Sequence, residues 1–127
     1  MKLTLNILQG LLGAMFLGSG GSKLAGAPDM VDDFDRFRYP QPFRVVTGAV
    51  EVGGALGLLL GFACPALTPL AGLLLGATMT GAVATHKKVE DPTSKVVTPA
   101  VLLGLLAFVS VARQKERLEK RSETHET

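Results

Sequence analysis

Gly48-Ala-Val-Glu-Val-Gly-Gly-Ala-Leu-Gly-Leu-Leu-Leu-Gly61 holds thirteen apolar or glycine residues and one carboxylate, Glu51. The longer run around it, residues 45–64, carries no other charge. Outward from it, residues 3–22, 66–85 and 96–112 carry no charge at all. Three of these four blocks are 20 residues long and the last is 17. A helix needs about 20 apolar residues to cross the hydrocarbon core of a bilayer, with ~17 as the lower limit. Core helices of a water-soluble domain would carry polar faces, which these blocks lack. The fold class is therefore an all-α membrane protein, a four-transmembrane-helix antiparallel bundle. The spans fall at about 3–24, 43–63, 66–85 and 96–112 of a single domain over residues 1–112, with residues 113–127 as a charged tail.

A chain of 127 residues has room for one domain. The formal net charge of +2 makes no case for nucleic-acid binding. Cys64 is the single cysteine, so neither an internal disulfide nor an internal dithiol couple can form. Trp is absent and Tyr39 is the one tyrosine, so the usual aromatic interface belt is missing. Lys2, the apolar run after it and Ala25-Gly26-Ala27 have the outline of a signal peptide. Pro28 directly after the cleavage position, Lys23 in the approach and the length of the run all argue against removal. The segment is read as the first span.

Between the first two spans, Asp29 to Arg38 is too short and too charged to cross a membrane. Met30, Phe34 and Phe37 fall at i, i+4 and i+7, one face of a helix, with Asp29 placed to cap it. Both an amphipathic helix over the bundle mouth and a plain connecting loop fit that pattern. Cys64-Pro65 marks a tight turn between spans two and three, and Pro99 falls in the first turn of span four. Gly53, Gly57 and Gly61 form one ladder of small residues, and Gly72, Gly76 and Thr80 another. Such ladders let helices approach closely in lipid, within one bundle or between copies in a homo-oligomer. Both termini lie on one side of a four-span chain. Lys and Arg number six on that side and six on the other, with Lys23 as a seventh, so the positive-inside rule leaves the orientation open. The tail holds five basic residues, with acids interleaved that weaken lipid attraction.

Glu51 sits about two residues from the middle of its span, ~3 Å from the midplane. An ionised carboxylate there costs ~2.5–3.5 kcal/mol and is a functional-site candidate by default. Lys23 ends span one and His86 ends span three, both toward the same loop end. Lys23 either reaches inward to Glu51 or snorkels to headgroups; His86 is either a site residue or an interfacial histidine beside two lysines. Thr47, Met79 and Thr85 lie at suitable depth to complete a small cavity with Glu51 as floor and Lys23 and His86 as rim. No metal-ligand spacing, phosphate loop or nucleophile triad is present.

The sequence resembles the DoxX-like family of small four-helix membrane proteins. The resemblance rests on Leu17-Gly-Ser-Gly-Gly-Ser-Lys-Leu24, on the Gly48 to Gly61 motif with Glu51, and on Met79 followed by Ala82-Val-Ala-Thr-His-Lys87. It covers about residues 5–112. The resemblance implies a bundle in a bacterial or archaeal cell membrane with both termini cytoplasmic. It also implies association with membrane redox complexes or oxidative-stress defence, and in similar animal proteins an assembly-chaperone role. A quinone or other lipophilic molecule is then the expected ligand, and the bilayer and other membrane or redox proteins are the expected partners. The missing second cysteine departs from cysteine-pair redox chemistry. A structural or chaperone bundle and a small proton-coupled transporter are the competing readings.

Overall fold

A computed structural model describes residues 1–126 as five helices: α1 (Lys2–Ala25), α2 (Pro28–Arg36), α3 (Gln41–Leu60), α4 (Leu67–Lys88) and α5 (Thr93–Glu126). Four of them, all but α2, are long and apolar enough to cross a membrane. Their two faces explain why. On α1, Leu5, Gln9, Leu12, Phe16 and Gly20 are buried, while Leu3, Ile7, Leu11 and Met15 are exposed. An apolar outer face opposite an apolar inner one is what lipid, rather than water, accepts.

The helices form a ring in which α1 packs on α3, α3 on α4 and α4 on α5, with a thin seam closing α5 onto α1. The core runs down the middle through Leu12, Phe16, Ala55, Leu58, Leu75 and Leu106. The tightest seam is α1 on α3. A Cβ added at Gly20 would lie 2.7 Å from the Gly48 carbonyl oxygen, and one at Gly48 would lie 2.8 Å from the Gly20 oxygen. Backbone meets backbone there, a distance that only glycine permits.

The small-residue ladders are used in part. Gly57 faces Ala71, Gly61 faces Thr68 and Gly72 faces Ser110, but a Cβ at Gly53 would meet open space and Thr80 is exposed. The seam follows the Gly13–Gly20 stripe of α1 and Gly48 instead, because α3 turns a different face to α1 from the one it turns to α4. Ser110 Oγ is buried without a hydrogen-bond partner among the described residues.

Residues 29–38 contain a helix, and it starts two residues earlier than a cap at Asp29 implied. Pro28 opens α2 at the first turn, where its missing N–H costs nothing. Ala27 is the cap position and makes no side-chain cap bond, so Asp29 acts through the helix dipole rather than as the cap. α3 ends at Leu60, and residues 61–63 already belong to the turn. α5 starts at Thr93, three residues before the expected Val96, so Pro99 lies inside the helix and leaves the Lys95 carbonyl without its usual bond. The tail is helical throughout its described length.

Three reversals at one end of the bundle share one cap. The Ala27 N–H bonds the Ser22 carbonyl, Tyr39 N–H bonds Phe34 and Asp91 N–H bonds His86. Each closes through a left-handed residue: Gly26 at φ 72, Arg38 at φ 63 and Glu90 at φ 59. Glycine takes that conformation freely, whereas Arg38 and Glu90 each cost ~1 kcal/mol or more. The second reversal places Tyr39 OH against Thr85 Oγ1 of α4, and the third places Asp91 beside His86.

Candidate functional site: a capped cavity around Glu51

Glu51 faces inward from α3 because it follows the buried stripe Gly48, Gly54, Ala55 and Leu58. Its side chain is 2% exposed. Lys23, one turn past Gly20 on α1, meets it: Nζ lies 3.0 Å from Oε1 and 3.3 Å from Oε2. The ammonium also donates to Ser19 Oγ at 2.8 Å. Lys23 thus reaches inward, not out to headgroups. The Gly20–Gly48 approach sets this pairing, since it draws the two backbones together one turn from both side chains. Arg44 donates to the Lys23 carbonyl and, through Nε, to Gln41 Oε1 at 2.7 Å, tying the end of α1 to the start of α3.

Above the pair lies a cavity of about 800 Å³. Its floor is Lys23 and Glu51, its walls include Phe16, Val50, Met79 and Leu102, and α2 partly covers it with Met30, Phe34 and Phe37. All six candidates from the sequence (Lys23, Thr47, Glu51, Met79, Thr85 and His86) line it. They differ in what they do there. Thr47 donates to its own helix, bonding the Phe43 carbonyl. Thr85 Oγ1 shares a 2.9 Å hydrogen bond with Tyr39 OH. His86 does not touch Glu51; its Nδ1 lies 2.5 Å from Asp91 Oδ2, and its ring packs edge-on against Phe37 at 5.2 Å.

Three features escaped the sequence reading. The first is an aromatic rim, with Phe34 against Phe37 at 5.6 Å and Tyr39 against Phe43 at 5.2 Å. The second is a clasp: Arg36 on α2 pairs with Asp91 in the α4–α5 turn, which also holds His86. The His86 hydrogen bond and the Arg36 charge hold the Asp91 carboxyl below the usual aspartate range. Asp33 and Asp91 correspondingly raise Arg36. Tyr39, Asp91 and Arg36 sit in segments that look like ordinary solvated turns, and only the charge pattern DxxR at Asp33–Arg36 offered a signal. The third lies at the opposite end. Gln9, 1% exposed, donates to the Leu58 carbonyl at 2.7 Å and Thr68 Oγ1 at 3.1 Å, and accepts from Arg113 Nε at 2.8 Å.

A ligand entering the cavity would meet apolar and aromatic walls and, at the floor, one donor cluster beside one acceptor. Lys23 can donate to a carbonyl or anionic oxygen, and Glu51 can accept from a hydroxyl. Among the described residues, no group of three or more His, Cys, Asp or Glu is placed to hold a metal ion. Cys64 is exposed in the α3–α4 turn and does not line the cavity.

Four lipid-facing helices around one buried ion pair define an integral membrane bundle with an internal polar site. A family model described as DoxX-like matches residues 7–109, and the chain belongs to the DoxX-like family. It is similar to YdgD of Bacillus subtilis (strain 168), a protein described as uncharacterized, at 34% identity over 74 residues. That match covers 58% of this chain and 65% of the relative, so the chain spans just under two thirds of the relative's length. No solved structure matches the chain.

Proposed function

We propose that this protein binds a small lipophilic molecule with a polar, quinone-like end in the cavity over Glu51, as a component of a membrane redox or oxidative-stress system. The carrying observation is the cavity itself: about 800 Å³, mostly apolar, with the buried Lys23–Glu51 pair at its floor. Its volume falls within the ~300–1,000 Å³ of small-molecule pockets, and few convergent polar groups in an apolar wall are their usual lining. The ligand's ring lies among the aromatic side chains of the rim. Its oxygen accepts from Lys23 Nζ in the oxidised form, and its hydroxyl donates to Glu51 in the reduced form. Electrons come from a bound cofactor or a partner protein, since a single cysteine offers no dithiol couple. Both termini face the cytoplasm, which turns the mouth of the cavity outward.

Native mass spectrometry of the gently purified protein, wild type beside Glu51→Gln, tests this reading. A lipophilic adduct on wild type, lost from a folded Glu51→Gln, is the expected result. An empty wild type that retains a partner protein would overturn it in favour of an assembly or subunit role.

A further inference from the structure

The end of the bundle away from Glu51 carries a second cavity, of about 310 Å³. It is lined by Lys2 and Asn6 of α1, Phe62 and Pro65 of the α3–α4 turn, and Arg113, Glu116, Arg117 and Lys120 of α5, with Gln9 and Thr68 at its base. Four cations thus face one carboxylate.

The tail's acids and bases alternate in sequence and cancel only when read as a string. Folded as a helix they separate. Arg113, Arg117 and Lys120 stand at i, i+4 and i+7, one face of α5. That face turns to the cavity, while Glu119 and Glu123 do not line it. The base of the site is fixed. Arg113 is held on three sides, donating to Gln9 at 2.8 Å, Asn6 at 2.6 Å and Glu116 at 3.1 Å. Gln9 is itself anchored to Leu58 and Thr68, so the guanidinium is locked to the bundle and not free in solvent. Arg113 therefore answers Glu116, and among the described residues the charges of Lys2, Arg117 and Lys120 remain without a carboxylate, Arg117 bonding the neutral Gln114 amide.

The position selects the ligand. Residue 112 ends the last charge-free block and Lys2 precedes the first, so the cavity lies where hydrocarbon gives way to headgroups. Phe62, 49% exposed beside it, offers an apolar edge for glycerol and the first methylenes of a chain. Basic pockets between helices at this depth suit anionic headgroups.

We propose that this cavity binds a phosphate group, presented by an anionic phospholipid of the leaflet at the terminal end of the bundle. Lys2, Arg117 and Lys120 contact the phosphate oxygens, and Arg113 with Gln9 forms the rigid back of the site.

The full chain in nanodiscs, released into native mass spectrometry, gives the test. Phosphatidylglycerol should be retained well above phosphatidylcholine. Arg117→Gln/Lys120→Gln should weaken that retention about 30-fold, ~2 kcal/mol at 1.4 kcal/mol per decade. Lys115→Gln/Arg121→Gln removes equal charge at two residues of α5 that do not line the cavity and should leave retention unchanged. Both variants carry changes on the projecting part of α5, and circular dichroism checks that each is folded. Inorganic phosphate added at millimolar concentration separates the sources. If it displaces phosphatidylglycerol only weakly, the headgroup is the ligand. If it stabilises wild type as strongly as the lipid does, free phosphate from the aqueous side supplies the group, and the lipid assignment falls. Equal loss in both double variants, or no preference over phosphatidylcholine, overturns the site.

Discussion

The two ends of this bundle bury polar groups by opposite strategies. At the Glu51 end, an acid and a base are matched one to one at the floor of a cavity that α2 partly covers. At the terminal end, the buried group is a neutral amide, Gln9, and the charge around it is unbalanced and partly open. An ion pair inside lipid is tolerable only as a pair, since each partner alone would meet the full desolvation cost. A carboxamide carries no such requirement. It can anchor one arginine and leave other cations for a partner outside the protein.

Breaking the matched pair should have the largest effect. Lys23→Met strands Glu51, which is 2% exposed and has no second cation in hydrogen-bond reach. It should cost about 3–5 kcal/mol in a reversible detergent-unfolding titration. Glu51→Gln should cost less, because Lys23 is 12% exposed, keeps Ser19 and still meets an amide oxygen. The Lys23→Met/Glu51→Gln double variant should recover ~1 kcal/mol or more of the summed loss. Additive effects would mean that the two side chains do not act as a pair.

At the terminal end the matching expectation is smaller. Gln9→Leu leaves Thr68 and the Arg113 Nε without their partner but strands no buried unpaired charge, since Arg113 keeps Asn6 and Glu116. About 1–3 kcal/mol is expected in the same titration. A loss as large as that of Lys23→Met would erase the distinction between the two ends.

What the sequence disclosed, and what it hid, follows the same division. Charges inside apolar blocks are conspicuous, so the four spans and Glu51 were legible. Lys23 was legible as one of two options, because depth alone does not say which way a long side chain points; the Gly20–Gly48 approach decides it, and that depends on how two helices pack. Gln9 was missed because the blocks were defined by the absence of charge, and a neutral amide passes that filter. The Arg36–Asp91–His86 clasp joins residues up to 55 positions apart. No local pattern encodes the path of α2 back over the α4–α5 turn.

The smallest effect concerns that clasp. Asp91 has its carboxyl lowered in the folded state, so its contribution is fully present above the unfolded aspartate value and is lost as pH falls through the folded one. Stability should therefore fall on the acid side, below about pH 4, and Asp91→Asn should flatten that part of a melting-temperature profile between pH 3 and pH 7. An unchanged profile would place the acid sensitivity elsewhere. Arg36, raised from a value already far above neutrality, contributes nothing to pH dependence in this range.

The unbroken run of α5 through Glu126 has a mechanical side as well. Beyond Ala112 it extends for another 14 residues, ~21 Å at 1.5 Å per residue. That is more than a headgroup layer is thick, so the outer turns stand clear of the lipid as a lever arm rigidly joined to the fourth span. A 10° tilt of that span would swing the tip by ~4 Å, making the end of the tail an amplified pointer to movements of the helix that also forms one wall of the Glu51 cavity.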